Sequence, residues 1–419
     1  MSLRNRFRPW TSVAQMAALM ACCLAARPAS TATVDAVVGP GEYGPPLAVQ
    51  NTPTAFGNAD GFGGPGSELN AAYANLRGDG GLELMLTGNL ETNGNAIVIF
   101  FDTRGGGAVV DTLAGGYGLL GAFGGQRTDD WDSDGGEGVF TPSGGSILDP
   151  GFDPDFAIEF NISGGNRHVN VIDLTVGGNH PSLVNRDVYL GATPEFALAT
   201  TQDYFRDSGT APSGQVTHDY VNFNGAGVNG YDSTTPPGPL GDPLSAEFGL
   251  EFHFSPEVFN ADEDRPIHIM AFITNGGGDF LSNQFLPGLG GVNNPGGVGN
   301  PGGEPLFDAR EFAGNQYFTV PARIRGDYNG NGFVDAADYT VWRNTNGTAI
   351  VAGEGADGDR DGEVTPADYL EWKSRYGNST AVGAGRGAEN FNNVPEPSGV
   401  ALCVLAMLAT LFPRSIAPR

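Results

Sequence analysis

Short apolar runs, each five to eight residues long, recur between residues 33 and 322, and stretches rich in Gly, Asn, Asp and Pro separate them. In one run Leu250, Phe252 and Phe254 alternate with polar residues, which is the pattern of a strand with one buried face. The run AIVIFF, beginning at Ala96, does not alternate and predicts a central strand that is covered on both faces. No helical periodicity of useful length appears in this region. The predicted strands span 82–88, 96–103, 156–162, 169–176, 187–191, 248–254, 267–274 and 315–320.

These strands predict a mainly β fold, in which two antiparallel sheets pack as a β-sandwich over residues 33–322. Jelly-roll and immunoglobulin-like topologies both stay open. The stretch LTGNLETNGNAIVIFFDT, from Leu86 to Thr103, predicts a hairpin. Its cadence, ending in Asp102-Thr103 before Gly105, resembles family-9-type carbohydrate-binding and DOMON-like sandwiches. The resemblance covers part of the region and implies a ligand-binding module without defining the ligand.

A second pattern starts near Arg325, where acids and amides occupy alternate positions and a helix-forming run follows; a copy starts thirty residues later. A calcium loop places oxygen ligands at positions 1, 3, 5, 7, 9 and 12, with Gly at position 6 for the sharp turn. Gly332 and Gly362 occupy position 6. The predicted ligands are Asp327, Asn329, Asn331, Phe333 (through its carbonyl), Asp335 and Asp338 in the first loop, and Asp357, Asp359, Asp361, Glu363 (through its carbonyl), Thr365 and Asp368 in the second.

Each loop is predicted to run directly into a helix that begins at its position 10. Asp335 and Thr365 are favourable N-cap residues, and Pro366 suits the first helical position. Each helix carries a Tyr and a Trp three residues apart, which places both rings on one face. We interpret these rings as the small core of the module and not as a sugar platform: Tyr339, Trp342, Tyr369 and Trp372.

The loops lack two features of an ordinary EF-hand, since no entering helix precedes them and position 12 is Asp instead of Glu. In both respects the segment from Ile324 to Asn378 resembles the type I dockerin, and residues 323–378 are interpreted as a dockerin-like module. The resemblance implies two bound Ca²⁺ ions and a cohesin-like partner, the kind of module that gathers carbohydrate-active proteins into polysaccharide-degrading assemblies. In that family the partner contacts positions 10 and 11 of each loop and a basic residue near position 17. The corresponding residues, which lack the usual hydroxyl groups at 10 and 11, are Ala336, Ala337, Arg343, Pro366, Ala367 and Lys373.

The N-terminus, residues 1–32, predicts a secretory signal peptide. Arg4, Arg6 and Arg8 form a basic region, an apolar region follows over residues 13–26, and small residues ending at Ala32 offer a cleavage site. The apolar region is too short for a membrane-spanning helix, which needs about 20 residues. The protein is therefore predicted to be exported.

The C-terminus, residues 395–419, carries Pro395-Glu396-Pro397, an apolar run over residues 399–412 and then Arg414. This order resembles the PEP-CTERM sorting signal of bacterial envelope proteins. The resemblance implies transient membrane association, cleavage by a dedicated sorting protease, and a final location in the cell envelope or outside the cell. Residues 379–394, rich in Gly and Asn, are interpreted as a flexible linker.

The net charge of −27 and the single lysine, Lys373, argue against nucleic-acid binding, because phosphate contacts need clustered Lys and Arg. Cys22, Cys23 and Cys403 all fall in the terminal segments. The region between them therefore has neither a disulfide framework nor a thiolate metal site. In an exported module of this kind, a metal ion would take the place of disulfides as the local staple.

Recognisable catalytic motifs are missing from the sequence. The five histidines are scattered, H-E-x-x-H and G-x-S-x-G are absent, and the abundant acids do not single out a carboxylate pair for glycoside hydrolysis. Trp131, in the acidic loop TDDWDSDGG, is the candidate in the sandwich for stacking on a sugar. The sequence favours a non-catalytic exported protein for attachment or carbohydrate binding in a polysaccharide-rich context. Two alternatives stay open: a secreted polysaccharide-degrading enzyme that is tethered by its dockerin, and a structural matrix protein with no small ligand.

Overall fold

The computed structural model describes residues 33–56, 66–105, 126–127, 142–143, 148–174, 187–205, 211–222, 224, 241–261, 265–278, 280–290, 294–297 and 308–379. The predicted signal peptide, the predicted sorting signal, all but the first residue of the predicted linker, and Trp131 lie outside the described residues.

The described part of residues 33–322, here called the two-sheet body, is mainly β and contains two large antiparallel sheets. The first sheet has the order β1-β2-β3-β12-β11-β10, and the second has the order β15-β14-β13-β4-β7-β8-β9, with β16 paired to β13 and a small separate pair formed by β5 and β6. The strands are β1 Ala48–Val49, β2 Glu68–Leu76, β3 Leu82–Asn89, β4 Ala96–Asp102, β5 Gln126–Arg127, β6 Pro142–Ser143, β7 Phe156–Ser163, β8 Asn166–Asp173, β9 Asp187–Pro194, β10 Thr200–Tyr204, β11 Gly214–Tyr220, β12 Gly249–Phe254, β13 Ile267–Thr274, β14 Phe280–Leu286, β15 Gly296–Gly297 and β16 Phe318–Val320.

The two sheets share one hydrophobic core. Phe101 of β4 in the second sheet and Phe254 of β12 in the first make an edge-on aromatic contact, with ring centroids 5.6 Å apart. Burying a side chain of this size stabilises the folded state by about 1.5–3 kcal/mol. The prediction for β4 is confirmed, because every residue of that strand is buried and it pairs with β13 on one side and β7 on the other.

The alternation in β12 is also confirmed, although the polar face of the strand is covered. Leu250, Phe252 and Phe254 belong to the shared core. Glu251 on the opposite face is fully buried, because the N-terminal segment crosses it. The Glu251 carboxylate accepts hydrogen bonds from the backbone N–H of Ala36 (2.8 Å) and from the Tyr43 hydroxyl (2.6 Å).

The predicted hairpin over residues 86–103 is wrong. Strand β3 pairs with β2 and β12, while β4 pairs with β13 and β7, so the two strands lie in different sheets. The connection between them carries the chain across the core, where Leu90 is fully buried. A sequence of two apolar strands joined by a polar turn is compatible with a hairpin and also with strands in different sheets. Which of the two forms depends on the other strands with which each strand pairs.

Residues 324–379, here called the double-loop segment, contain helix α1, Ala336–Thr345, and helix α2, Pro366–Arg375. The remaining helices of the described residues are the one-turn helix Pro256–Phe259 and the 3₁₀ turns Pro243–Ser245 and Ala309–Glu311. The two-sheet body and the double-loop segment belong to one compact unit. Within the described ranges, no helix combines the length and the apolar character that crossing a membrane requires.

Candidate metal centre

The first loop, residues 327–338, folds around its first acid. The Asp327 carboxylate accepts hydrogen bonds from the backbone N–H groups of Asn331 (3.0 Å) and Gly332 (2.7 Å). Gly332 has φ +84°, a left-handed conformation that favours glycine and permits the sharp turn. The side-chain oxygens of Asn329 and Asn331 each accept the N–H two residues further on, at 3.0 and 2.9 Å.

The second loop, residues 357–368, repeats this network position by position. Asp357 accepts from the N–H groups of Asp361 (3.2 Å) and Gly362 (2.8 Å), and Gly362 has φ +86°. Asp359 and Asp361 again accept the N–H two residues further on, at 3.2 and 2.9 Å. The two loops differ in sequence, with Asn in the first where the second has Asp, yet they adopt the same hydrogen-bonded fold.

The position-12 acids close the loops. Both oxygens of Asp338, which is fully buried, accept backbone N–H groups of its own loop, from Asn329 (3.0 Å) and Asp335 (2.7 Å). Asp368 makes the equivalent two bonds at 3.0 and 2.6 Å and is also fully buried. Each acid thereby ties the start of its loop to the first turn of the following helix.

The predicted helix starts and caps are confirmed. Helix α1 begins after Asp335, whose carboxylate accepts the N–H of Ala337 at 2.7 Å. Helix α2 begins at Pro366 after Thr365, whose hydroxyl accepts the N–H of Ala367 at 3.1 Å. The two predicted position-9 ligands therefore act as helix caps here, and position 9 of such loops often reaches a cation through water.

Carboxylate oxygens converge in the second loop. One carboxylate oxygen from each of Asp357, Asp359 and Asp361 lies within 4.8 Å of the other two. Burial raises the pKa of Asp359, and the nearby negative charges raise it further. Burial also raises the pKa of Asp327 and Asp338 in the first loop. In both loops the charged form of an acid is therefore disfavoured until an opposite charge accompanies it.

The predicted carbonyl ligands have exposed side chains. Phe333 is 51 % exposed, and Glu363 is exposed in the same position of the second loop. Each residue forms an isolated β-bridge, Phe333 with Ser379 and Glu363 with Ala349. Their side chains thus lie at the surface of the loops, as expected of residues that contribute only their backbone.

The two copies are joined crosswise through their tryptophans. The Trp342 indole N–H of α1 donates to the Thr365 carbonyl of the second loop at 2.7 Å, and Trp372 of α2 donates to the Asp335 carbonyl of the first loop at 2.8 Å. The helix aromatics pack against one another between the helices, with the Trp342 and Tyr369 centroids 5.1 Å apart, but they are half-buried and the buried cluster of the segment consists of Tyr328, Ala356 and Val364.

Sequence reasoning missed Tyr328, the position-2 residue of the first loop. Its hydroxyl donates to the Asp368 carbonyl at 2.6 Å and so connects the first loop to the second helix. Position 2 of the second loop is Gly358, and a Cβ there would lie 2.4 Å from the Tyr328 hydroxyl. The exchange of Tyr for Gly at position 2 of the two loops is the signal that could have revealed this contact.

The predicted partner-contact residues lie on the surface of the double-loop segment. All six are exposed, and the exposure follows the same pattern in both copies: Ala336, Ala337, Arg343, Pro366, Ala367 and Lys373. The surface is therefore accessible to a second molecule, although its chemistry near the helix starts is that of methyl groups and a proline ring.

Comparison of the chain with protein-family models, with curated proteins and with solved structures gives no match.

Proposed function

We propose that the double-loop segment binds two Ca²⁺ ions, one in each loop, as the dockerin-like module of an exported, non-catalytic attachment protein. The observation that carries the proposal is the repetition of one hydrogen-bond network in two loops of different sequence, with oxygen donors at the positions that a calcium loop requires. Acidic turns that only face solvent have no reason to share such a network.

The residues present fit Ca²⁺, which takes six to eight oxygen ligands from carboxylates, amides, carbonyls and water. Asp327, Asn329, Asn331 and Asp338 would hold the ion in the first loop, with the Phe333 carbonyl and Asp335, directly or through water. The second loop would use Asp357, Asp359, Asp361, the Glu363 carbonyl, Thr365 and Asp368. A bound cation supplies the positive charge that the converging acids lack.

The segment needs such a staple because it is small. A domain of about sixty residues is only marginally stable because it buries little apolar surface, and the segment has no cysteine. Its main apolar cluster is centred on Tyr328, Ala356 and Val364. Energy of metal binding therefore becomes energy of folding, as in other small metal-dependent modules.

The proposed role of the whole protein rests on the other segments of the chain. The terminal sequences support export and envelope sorting, and the exposed residues at positions 10, 11 and 17 offer a surface for a cohesin-like module or another envelope protein. The two-sheet body would then present a binding surface in a polysaccharide-rich environment. Attachment, with carbohydrate as the candidate ligand, is the function that we propose for the whole protein.

Calcium titration of the purified protein after dialysis against EDTA tests the proposal. Calorimetry should give two sites per chain with affinities of roughly 10⁻⁶ to 10⁻³ M. The second loop should bind more tightly, because it has four side-chain carboxylates among its predicted ligands where the first has three. Far-UV circular dichroism should show helix forming as calcium is added.

Matched single-loop variants identify the sites. Asp327→Ala should remove one site and Asp357→Ala the other, each leaving the remaining site occupied. Magnesium is the control ion, since it demands a tighter octahedral shell and should bind more weakly. Protein that takes up no calcium, or both variants binding two ions, would refute the proposal.

A further inference from the structure

A cleft lies where the two-sheet body meets the double-loop segment. Its volume is about 360 Å³, within the range of small-molecule sites. Its charged lining consists of four arginines and two acids: Arg77, Arg265, Arg323, Arg360, Asp79 and Glu257. The whole chain has 21 basic residues against 48 acidic ones. Among the residues that line the cleft, arginines outnumber acids.

Arg265 lines this cleft and has one unsatisfied hydrogen-bond donor. Its Nη2 atom donates to Oδ2 of Asp102 at 3.2 Å and lies 3.1 Å from Oδ1 of the same carboxylate. Its Nη1 atom is buried and has no hydrogen-bond partner among the described residues. A buried guanidinium donor without an acceptor is unfavourable, so Arg265 would gain from an acceptor that reaches this atom.

Arg77 contributes a second guanidinium group, which is paired with one carboxylate. Its guanidinium contacts the His253 ring and pairs with Asp79 at 2.8 Å. Burial and the proximity of Arg77 lower the pKa of His253 to about 4, so the imidazole is neutral at neutral pH. Asp79 alone among these partners counters the arginine.

Arg360 occupies a backbone conformation that its loop reserves for glycine. It is the position-4 residue of the second loop and has φ +66°. Position 4 of the first loop is Gly330, with φ +68°. A bulky residue in the left-handed region is strained, and such strain is retained where it serves a site. In this conformation the Arg360 guanidinium lies beside the β2–β3 turn. A Cβ on Gly80 of that turn would lie 3.3 Å from Nη1 of Arg360.

Arg323 and Glu354 contribute to the contact between the two-sheet body and the double-loop segment. Arg323 lies 3.5 Å from the Glu354 carboxylate, and the same carboxylate oxygen accepts the N–H of Gly78 in the β2–β3 turn at 3.0 Å. Arg323 and Arg360 are thus held beside Arg77 and Arg265, and these four arginines, far apart in sequence, line one cleft.

We infer that this cleft binds a small ligand bearing an oxyanion group, a carboxylate, sulfate or phosphate on a sugar-sized body. Guanidinium groups match such oxyanions with paired, charge-assisted hydrogen bonds. The two lining acids can accept hydroxyl groups of the same ligand. The oxyanion is inferred from the cleft itself, whereas the sugar body rests on the proposed polysaccharide context.

Calorimetry of the purified protein at constant ionic strength tests the inference, with glucuronate, glucose 6-sulfate and glucose 6-phosphate as probes and glucose as the uncharged control. At least one charged probe should bind and glucose should not, and the ranking of the three identifies the oxyanion. Arg360→Gly should weaken that binding at least about tenfold, since a charge-assisted bond is lost. This variant adopts a backbone conformation that Gly330 already has in the first loop, so the fold should be kept.

Two further variants separate the cleft from general charge. Arg323→Gln should also weaken binding, whereas Arg310→Gln, which changes an exposed arginine outside the cleft, should leave it unchanged. Equal binding of glucose, no binding of any charged probe, or unchanged affinity in Arg360→Gly would overturn the inference. Calcium uptake measured on the same samples separates the two proposals: calcium binding without anion binding overturns this one alone, and anion binding without calcium binding overturns the other alone.

Discussion

Gly78 and Gly353 meet backbone to backbone at the junction of the two-sheet body and the double-loop segment. A Cβ on Gly78 would lie 2.0 Å from the Gly353 carbonyl oxygen, and a Cβ on Gly353 would lie 2.1 Å from the Gly78 carbonyl oxygen. Neither position has room for a side chain, so the junction depends on both glycines. The Glu354 carboxylate accepts the N–H of Gly78 and so stabilises the same contact.

Gly353→Ala should open this junction. Its carbon would collide with the Gly78 carbonyl, which cannot move without disturbing the β2–β3 turn. Hydrogen exchange should become faster at the Gly78 amide, which loses its bond to Glu354. Gly347→Ala is the matched control, because Gly347 has a similar φ, +86°, with no atom near its Cβ position. Both variants carry the left-handed strain of about 1–2 kcal/mol, so the difference between them reports the collision. Equal exchange at Gly78 in the two variants would contradict the close contact.

Trp342→Phe should weaken both copies of the double-loop segment. The change keeps a ring in the aromatic cluster but leaves the Thr365 carbonyl without its indole donor. We expect a loss of about 1–3 kcal/mol in local stability, measured by native-state hydrogen exchange of α1 and α2. Trp372→Phe should have a similar effect through Asp335. Tyr369→Phe is the control, since its ring packs in the cluster and its hydroxyl makes no hydrogen bond within the described residues. Faster exchange limited to one helix would argue against crosswise coupling.

Glu68→Gln should stabilise the protein at alkaline pH. Burial raises the pKa of Glu68 to about 8 from its ordinary value of 4.5, and its Oε2 atom has no hydrogen-bond partner among the described residues. Between these two values the folded chain holds a proton that the unfolded chain has lost. The free energy of unfolding therefore falls as pH rises across this window, by at most about 1.4 kcal/mol per pH unit from this group.

Urea unfolding measured just above pH 4.5 and near pH 8 checks the Glu68 prediction. The native protein should lose stability between the two conditions, and Glu68→Gln should lose less. Glu247→Gln makes the same change of charge at an exposed position and should behave as the native protein does. Identical pH dependence in all three proteins would show that Glu68 titrates normally.

Calcium and the oxyanion ligand should bind cooperatively if both proposals hold. Arg360 lies between Asp359 and Asp361, so a cation in the second loop fixes the backbone that carries its guanidinium. We expect calcium to raise the affinity for the anionic probe by roughly 5–150-fold, the usual range of such coupling, and the probe to raise calcium affinity equally. Asp361→Ala should abolish the effect. Asn331→Ala, at the same position of the first loop, should retain it, and a loss of coupling in both variants would exclude Arg360 as the link.

The sequence by itself determined the features whose causes are local. The ligand spacing, Gly332 and Gly362 at the left-handed turns, and the caps Asp335 and Thr365 all act within one loop of twelve residues. The fully apolar run of β4 likewise predicts a buried strand, because exposing those side chains to water would be unfavourable. These features could be predicted because the residues that make each contact are close in the chain.

Strand β2, which is buried by residues distant from it in the sequence, was not predicted. Strand β2, Glu68–Leu76, is largely buried although its sequence, ELNAAYANL, has few β-branched or large apolar residues. It is held by pairing with β1 and β3, and Glu68 is buried together with Asn89 of the neighbouring strand. Strand β16 is shorter than predicted, Phe318–Val320, because it pairs with only three residues of β13.

Only the tertiary structure decided which elements meet. A turn sequence specifies a change of direction, but not whether the next strand joins the same sheet, and β3 and β4 part because each finds better-matched neighbours distant in sequence. The junction of Gly78 with Gly353, and the cleft that gathers Arg77, Arg265 and Arg360, join positions separated by up to 283 residues. No local pattern encodes such proximity, because it follows from the packing of the whole chain.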